Sequence, residues 1–295
     1  MTLKARKAFT AYAFLLIPLV FFLTVRFGPM LYMLAMSFTN WSLMRKVPAF
    51  VGFSNYLKVL NDPVFLQSLG NTARYAIFGA PLVIVVSFLI ALMLDAIPRG
   101  KSIFRLIYVL PYITPVVAVS WVWRWMYQPP PIGVINGVLG ALGLPAGEFL
   151  NSTTQALPSI LVVNVWVELG YCTTIFLAGL QTIPREMMEA AQIDGANARQ
   201  ILLKITIPLL NPVILFLTVM EGIQFLRIFT QVYNMSMQAM GGPLNSTKSA
   251  ALYIYQKAFM YFEMAQAAAA SLILFVIIMS ITLLQLRFFD KKLSY

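Results

Sequence analysis

Six stretches of this chain are apolar for long enough to cross a lipid bilayer: residues 8–38, 73–94, 104–127, 157–180, 209–233 and 265–289. A helix needs about 20 such residues to cover the hydrocarbon. In lipid, every backbone N–H and C=O must find its partner within the spanning structure, which favours helices. The expected fold is therefore all-α integral membrane, with six transmembrane helices in a single membrane domain over residues 1–295. Charged residues make up only 11% of the 295 positions and hydrophobic ones 60%, far from the averages of soluble domains. A formal net charge of +11 would point to nucleic acid in a soluble protein. Here the basic residues flank apolar runs, where they orient spans, and no nucleic-acid partner is expected.

Positive charge collects on the cytoplasmic side of membrane spans. Lys4, Arg6 and Lys7, then Arg99, Lys101 and Arg105, then Arg185, Arg199 and Lys204, then Arg287, Lys291 and Lys292 all fall on one side. Both termini are accordingly expected in the cytoplasm. The other side carries Arg45, Lys46, Lys58, Arg74, Lys248 and Lys257 over longer loops, and residues 128–156 hold no basic residue. The first apolar run exceeds the h-region of a signal peptide and lacks a cleavage site, so it reads as an uncleaved span. Gly28-Pro29 is where that run is expected to kink or break, and Pro111 and Pro115 are expected to kink the third span. Trp121, Trp123, Trp125 and Tyr127 read as an interfacial aromatic belt. Arg26 and Arg124 lie near span ends, where a long side chain snorkels to the interface.

Between the fourth and fifth spans lies a polar insert, residues 184–208. Thr182 is placed to cap a first helix that Pro184 opens, Glu186 and Glu189 complement its N-terminal dipole, and Gly195 ends it. Asn197 suits the start of a second helix, and Pro208 marks the entry to the next span. Ala190, Ala191 and Gly195 carry almost no side chain, so another surface can approach their backbone, while Glu189 offers a charge for register. The plainer reading is an amphipathic connector between two spans.

The spacing of Glu189-Ala190-Ala191, Gly195, Ile205 and the Ile207-Pro208 pair resembles the coupling loop of bacterial ABC importer permeases. The likeness to the sugar and glycerol-3-phosphate class extends through Phe50-Val51-Gly52-Phe53-Ser54-Asn55-Tyr56, Gly133-Val134-Ile135-Asn136, Leu142-Gly143-Leu144-Pro145, Ile193-Asp194-Gly195-Ala196 and Gly241-Gly242-Pro243. One departure is Met264–Ala270, an alanine run where family members often carry a glycine and an aromatic residue. The resemblance implies an ABC type I importer permease of the bacterial cytoplasmic (inner) membrane. It implies as partners a second permease chain, two cytoplasmic ATPase subunits that bind ATP and Mg, and an extracytoplasmic solute-binding protein. On this reading Glu189, Ala190, Ala191, Asp194, Gly195, Ile205 and Pro208 meet the ATPase mechanically and do no chemistry.

The residues themselves agree that the motor lies elsewhere. No Gly-rich phosphate loop ending in Lys and Ser or Thr occurs. There is no histidine and only one cysteine, Cys172, which removes the usual zinc, haem and triad constellations and any disulfide within the chain. No cofactor is expected in this chain.

A charge near the bilayer centre costs about 2.5–3.5 kcal/mol on insertion scales, so such residues face a bundle interior or a wet path. Asn164, Glu168 and Tyr171 recur at helical spacing on the fourth span, and Glu221, Gln224, Arg227 and Gln231 make a stripe on the fifth. Two readings stand side by side. The stripes line a path for a hydroxyl-rich solute, with Trp166 and Tyr171 for ring faces, or a glutamate pairs with Arg227 to hold helices together. Two rival functions remain: an ion-coupled secondary transporter using Glu168 or Glu221, and an intramembrane enzyme using the same carboxylates. Neither accounts for the two-helix insert.

Overall fold

The computed structural model describes residues 3–42, 48–97, 100–236 and 240–290. Arg45, Lys46, Arg99, Lys291 and Lys292, used above for orientation, lie outside these residues. Among the described residues the regular secondary structure is helical, apart from one bridge pairing Thr39 with Phe50, and turns and loops join the helices. Five helices are long and apolar enough to cross a membrane, and six if one bent pair counts as a single span. The chain divides into two compact units, Met1–Asp62 with Ile254–Phe275, and Pro63–Tyr253 with Val276–Tyr295.

In the first unit α1 (Leu3–Phe21) runs into α2 (Gly28–Ser37) without the expected break. A π-turn over Phe22–Phe27 widens the helix just before Pro29, and the Gly28 N–H donates to the Leu23 carbonyl. That wide turn makes room for the proline ring, which would otherwise strike the preceding turn. After it, Asn55 on α3 (Ser54–Leu60) donates to the carbonyls of Ser37 and Thr39, and Phe38, Phe53 and Tyr56 cluster beside it. Lys257 bridges Asp62 at 3.7 Å and Glu263 at 2.8 Å. The alanine run is buried, with Ala269 and Ala270 both at 0% exposure.

The second unit starts with α4 (Pro63–Asp95), followed by α5 (Lys101–Ile113), α6 (Val116–Met126) and the short α7 (Val134–Ala141). The third span is bent by 105° between its halves. Pro115 forces Thr114 out of the helical region, to ψ 139°, as a proline does to the residue before it. Pro111 lies inside α5 and does not end it. Trp121 and Trp125 are exposed as a belt requires, whereas Trp123 is half-buried and packs on Trp166, and Tyr127 is buried with its hydroxyl donating to the Ser159 carbonyl. Arg124 donates to the Asn234 carbonyl and lies over the Trp121 ring, a structural role.

The centre of this unit is α8 (Ala156–Leu180), buried on most of its faces. It packs along α4 and against α5. Glycines permit these contacts: a Cβ on Gly170 would lie 2.5 Å from the Tyr108 carbonyl of α5, the close approach that small residues provide in membrane helices. Beyond α8 come α9 (Arg185–Ile193), α10 (Ala198–Ile201), a π-turn over Leu202–Thr206, α11 (Ile207–Leu209) and α12 (Asn211–Leu226). The fifth span then breaks at Arg227–Phe229 and resumes as α13 (Thr230–Met235), which packs against α6. No proline or glycine marks that break. The chain continues through α14 (Ala250–Tyr255) and α15 (Met264–Asp290).

Candidate functional site

The polar insert forms two helices around a tight turn. Gly195 sits at φ +83°, a left-handed conformation that suits glycine, and the Ala196 N–H closes the turn on the Ala191 carbonyl at 2.9 Å. This is the αL ending that stops a helix and reverses the chain. Asn197 begins α10 with a full capping box, its side chain accepting from the Gln200 N–H while the Gln200 side chain accepts from the Asn197 N–H. Thr182 does not cap α9. Pro184 occupies the N-cap position without a side-chain bond, and the Thr182 hydroxyl donates to the Gly179 carbonyl, one turn back on α8. No residue of α9 is buried, and Ile193 at its end is 87% exposed. Glu189, Ala190, Asp194 and Gly195 are exposed and Ala191 half-buried, while Ile205 and Pro208 lie half-buried where the chain rejoins the bundle. A Cβ on Gly195 would meet nothing within 4 Å. Within this chain, then, the glycine answers to conformation rather than to crowding.

The second set of residues forms a ladder. Asn164, Glu168 and Cys172 follow one another at four-residue spacing on α8, and each bonds across to the fifth span. Gln231 donates to Asn164, Gln224 donates to Glu168 at 3.3 Å, and the Cys172 thiol donates to Glu221 at 3.1 Å. Glu168 is 6% exposed and Glu221 2%. Arg227 joins neither glutamate. It is exposed at the C-terminal end of α12 and makes no ion pair among the described residues. The expected choice between a solute path and a Glu–Arg pair thus takes a third form, in which the glutamates are held by neutral donors.

Three buried polar atoms in or beside the ladder, Asn164 Nδ2, Thr173 Oγ1 and Glu221 Oε2, have no hydrogen-bond partner among the described residues. Buried polar atoms are seldom left so. Tyr171, half-buried, stacks on Tyr112 of α5 with ring centroids 5.4 Å apart and planes at 23°. Gly170 is what seats α5 close enough for that stack. Tyr112 and Gly170 were not among the residues singled out from sequence. The available signal was a glycine beside Tyr171 and an aromatic next to Pro111. Of the expected path residues, Tyr171, Gln224 and Arg227 reach the surface, and Asn164, Glu168, Glu221 and Gln231 are sealed behind them. No group of three or more His, Cys, Asp or Glu that could hold a metal occurs among the described residues.

Bent or interrupted spans, a buried polar seam on α8 and the fifth span and a helical segment exposed at one end together suit a membrane transport subunit, since ionisable groups within spans mark substrate or ion paths and transporter sites are often built beside discontinuous helices. The chain belongs to the family of binding-protein-dependent transport system inner membrane components, whose model matches residues 75–295; it is a permease of the ABC importer kind. The probable ABC transporter permease protein YesP of Bacillus subtilis is 37% identical over 276 residues, covering 92% of this chain and 88% of that one. The sn-glycerol-3-phosphate transport system permease protein UgpA of Yersinia enterocolitica is 31% identical over 246 residues, covering 83% and 82%. Among solved structures, a bacterial alginate ABC transporter in complex with an alginate pentasaccharide-bound periplasmic protein has a chain that matches at a TM-score of 0.84 and 23% identity, over 96% of this chain and 94% of that one, a likeness of fold.

Proposed function

We propose that this permease carries a carbohydrate-type solute, whether sugar, oligosaccharide, polyol or glycerol-phosphate, into the cytoplasm, and that a separate ATPase drives it through the segment around Glu189–Gly195. The observation that carries this reading is the freestanding α9–α10 segment. It has an exposed acid, two alanines and a left-handed glycine, and it is anchored at both ends to the spans that share the polar ladder. A push on α9 reaches α8 through Pro184 and α12 through the Ile207-Pro208 entry. The ladder between α8 and the fifth span, α12 and α13, is then the seam that such a push would shear.

The partners on this reading are a second permease chain, two copies of the ATPase on the cytoplasmic side and an extracytoplasmic solute-binding protein. Solute contacts fall to the surface group: the Tyr112–Tyr171 stack for a sugar ring face, and Gln224 and Arg227 for its edges. The relatives named for glycerol-3-phosphate and the fold match named for alginate support the polyhydroxyl class.

Mass spectrometry of what co-purifies with the tagged chain from its native membrane tests the assembly. A soluble subunit with a phosphate-binding Gly-rich loop and a second six-span chain are expected. In proteoliposomes of the complex, Ala190→Leu should lower transport at least tenfold while membrane insertion stays the same, because Ala190 is helical and exposed on α9, so the larger side chain keeps the backbone and strikes only a docked partner. A chain that purifies alone and transports fully with an ion gradient and no ATP would end this reading in favour of Glu168 or Glu221 as an ion relay.

A further inference from the structure

We infer that the groove between α12 and the C-terminal half of α15 is a binding site for an anionic phospholipid, whose headgroup is taken by Arg287 and whose acyl chain lies along the leucines. The groove encloses about 720 Å³ and is lined by Leu215 from α12 and by Ser280, Leu283, Leu284, Leu286 and Arg287 from α15. Ser280, Leu283, Leu284 and Arg287 recur at the spacing that puts them on one helix face. Apart from Arg287 that face offers no free donor, since the Ser280 hydroxyl is spent on the Val276 carbonyl.

The two helices approach at Gly222, where a Cβ would lie 3.1 Å from Gln285 Nε2. Leu215 is seven residues from Gly222, two helical turns, so both face α15. Leu283, Leu284 and Leu286 remain 55%, 66% and 44% exposed.

Two observations select the occupant. The first is charge and depth. α15 has 27 residues, hence a length of about 40 Å against about 30 Å of hydrocarbon, so Arg287, three residues from its end, lies at headgroup level. It is exposed and makes no ion pair among the described residues. A guanidinium fork matches the oxygens of a phosphate, and Lys291 and Lys292 follow in the sequence. Basic pockets between membrane helices take anionic headgroups for this reason.

The second observation is direction. Gln224 is nine residues from Leu215, two and a half turns, and so points the opposite way. This step rests on the proposed function: if the Gln224 face borders a solute path shared with a second permease, the groove on the opposite face of α12 looks into the bilayer.

The test is lipid retention by the purified complex, reconstituted in nanodiscs of mixed phosphatidylglycerol and phosphatidylcholine, re-extracted in mild detergent and quantified by mass spectrometry. Arg287→Gln should retain about fivefold less phosphatidylglycerol, as expected for the loss of one cation at the membrane surface, and Arg287→Lys should keep most of it. Leu284→Trp fills the groove without changing charge and should displace the same lipid. Unchanged retention in both Arg287→Gln and Leu284→Trp overturns the site. Displacement of the lipid by inorganic phosphate alone would make Arg287 a phosphate site and overturn the acyl-chain half, and a crosslink from Leu284→Cys to a second protein chain would make the groove a subunit contact. Retention is read without reference to transport, so failure of the proposed function leaves its own signature in the co-purification experiment.

Discussion

At the scale of single residues, the ladder turns on how a buried carboxyl group finds a donor inside a bundle. Glu221 is reached by Cys172, a residue whose position inside an apolar run gave no hint of polar work. Helical spacing says which residues share a face of α8, and nothing in it says which atoms of another helix they will meet. Glu168, Glu221 and Gln224 were therefore visible as polar residues within spans, while the pairing of Gln224 with Glu168 and of Cys172 with Glu221 emerged only from packing. Replacing Cys172 by Val keeps the volume and removes the donor, leaving Glu221 with neither oxygen bonded. Hydrogen bonds within membrane bundles are worth about 0.6–1.7 kcal/mol, so Cys172→Val should lower the detergent melting temperature, with Cys172→Ser close to the parent. Equal melting of the two variants would mean that the thiol contributes only bulk. Gly195, by contrast, was legible from sequence, because a glycine at a helix end two residues before an Asn that starts the next helix is a local signal that needs no partner.

At the scale of elements, boundaries followed sequence where a local cause existed. The bend in the third span comes from Pro115 acting on Thr114, and the capping box at Asn197 is written in four consecutive residues. The first span went the other way, since a π-turn absorbed Gly28-Pro29. The break after Leu226 carries no breaker residue at all and belongs to the packing of α13 on α6. Loop motifs that looked like family signatures acquire physical reasons. Asn136 donates to the carbonyls of Gln128 and Gly147 and accepts from the Gly147 N–H, while a Cβ on Gly133 would lie 1.8 Å from the Gln128 carbonyl. Asn71 of α4 likewise donates to the carbonyls of Asn245 and Lys248, pinning the Gly241-Gly242-Pro243 turn.

The contact of α5 with α8 is the one most exposed to a single methyl group. Gly170→Ala places that methyl against backbone, which cannot swing away, and overpacking of this kind costs about 1–3 kcal/mol. A lower melting temperature and looser Tyr112–Tyr171 stacking, read as higher tyrosine accessibility, are expected. Gly137→Ala in α7, where a Cβ meets nothing within 4 Å, should be neutral or mildly stabilising and serves as the control.

At the scale of the whole molecule, the charge bias predicts an orientation that labelling can read. In a Cys172→Ser background, an impermeant thiol reagent applied to intact cells should modify Ala146→Cys in the loop between the third and fourth spans. Gln192→Cys on α9 should react only after the membrane is opened. The reverse pattern would invert the topology and with it the proposed docking face.

Membrane embedding, span number and the two-helix insert could be read from residues alone because each is a one-dimensional property: apolar length against bilayer thickness, and capping chemistry at helix ends. Which glutamate meets which donor, where an unmarked span breaks, and which face of α12 looks to α15 were decided only in three dimensions. Those outcomes depend on how closely glycines let helices approach and on the rotation of each helix about its axis, and in a chain this apolar the hydrophobic pattern leaves that rotation nearly free.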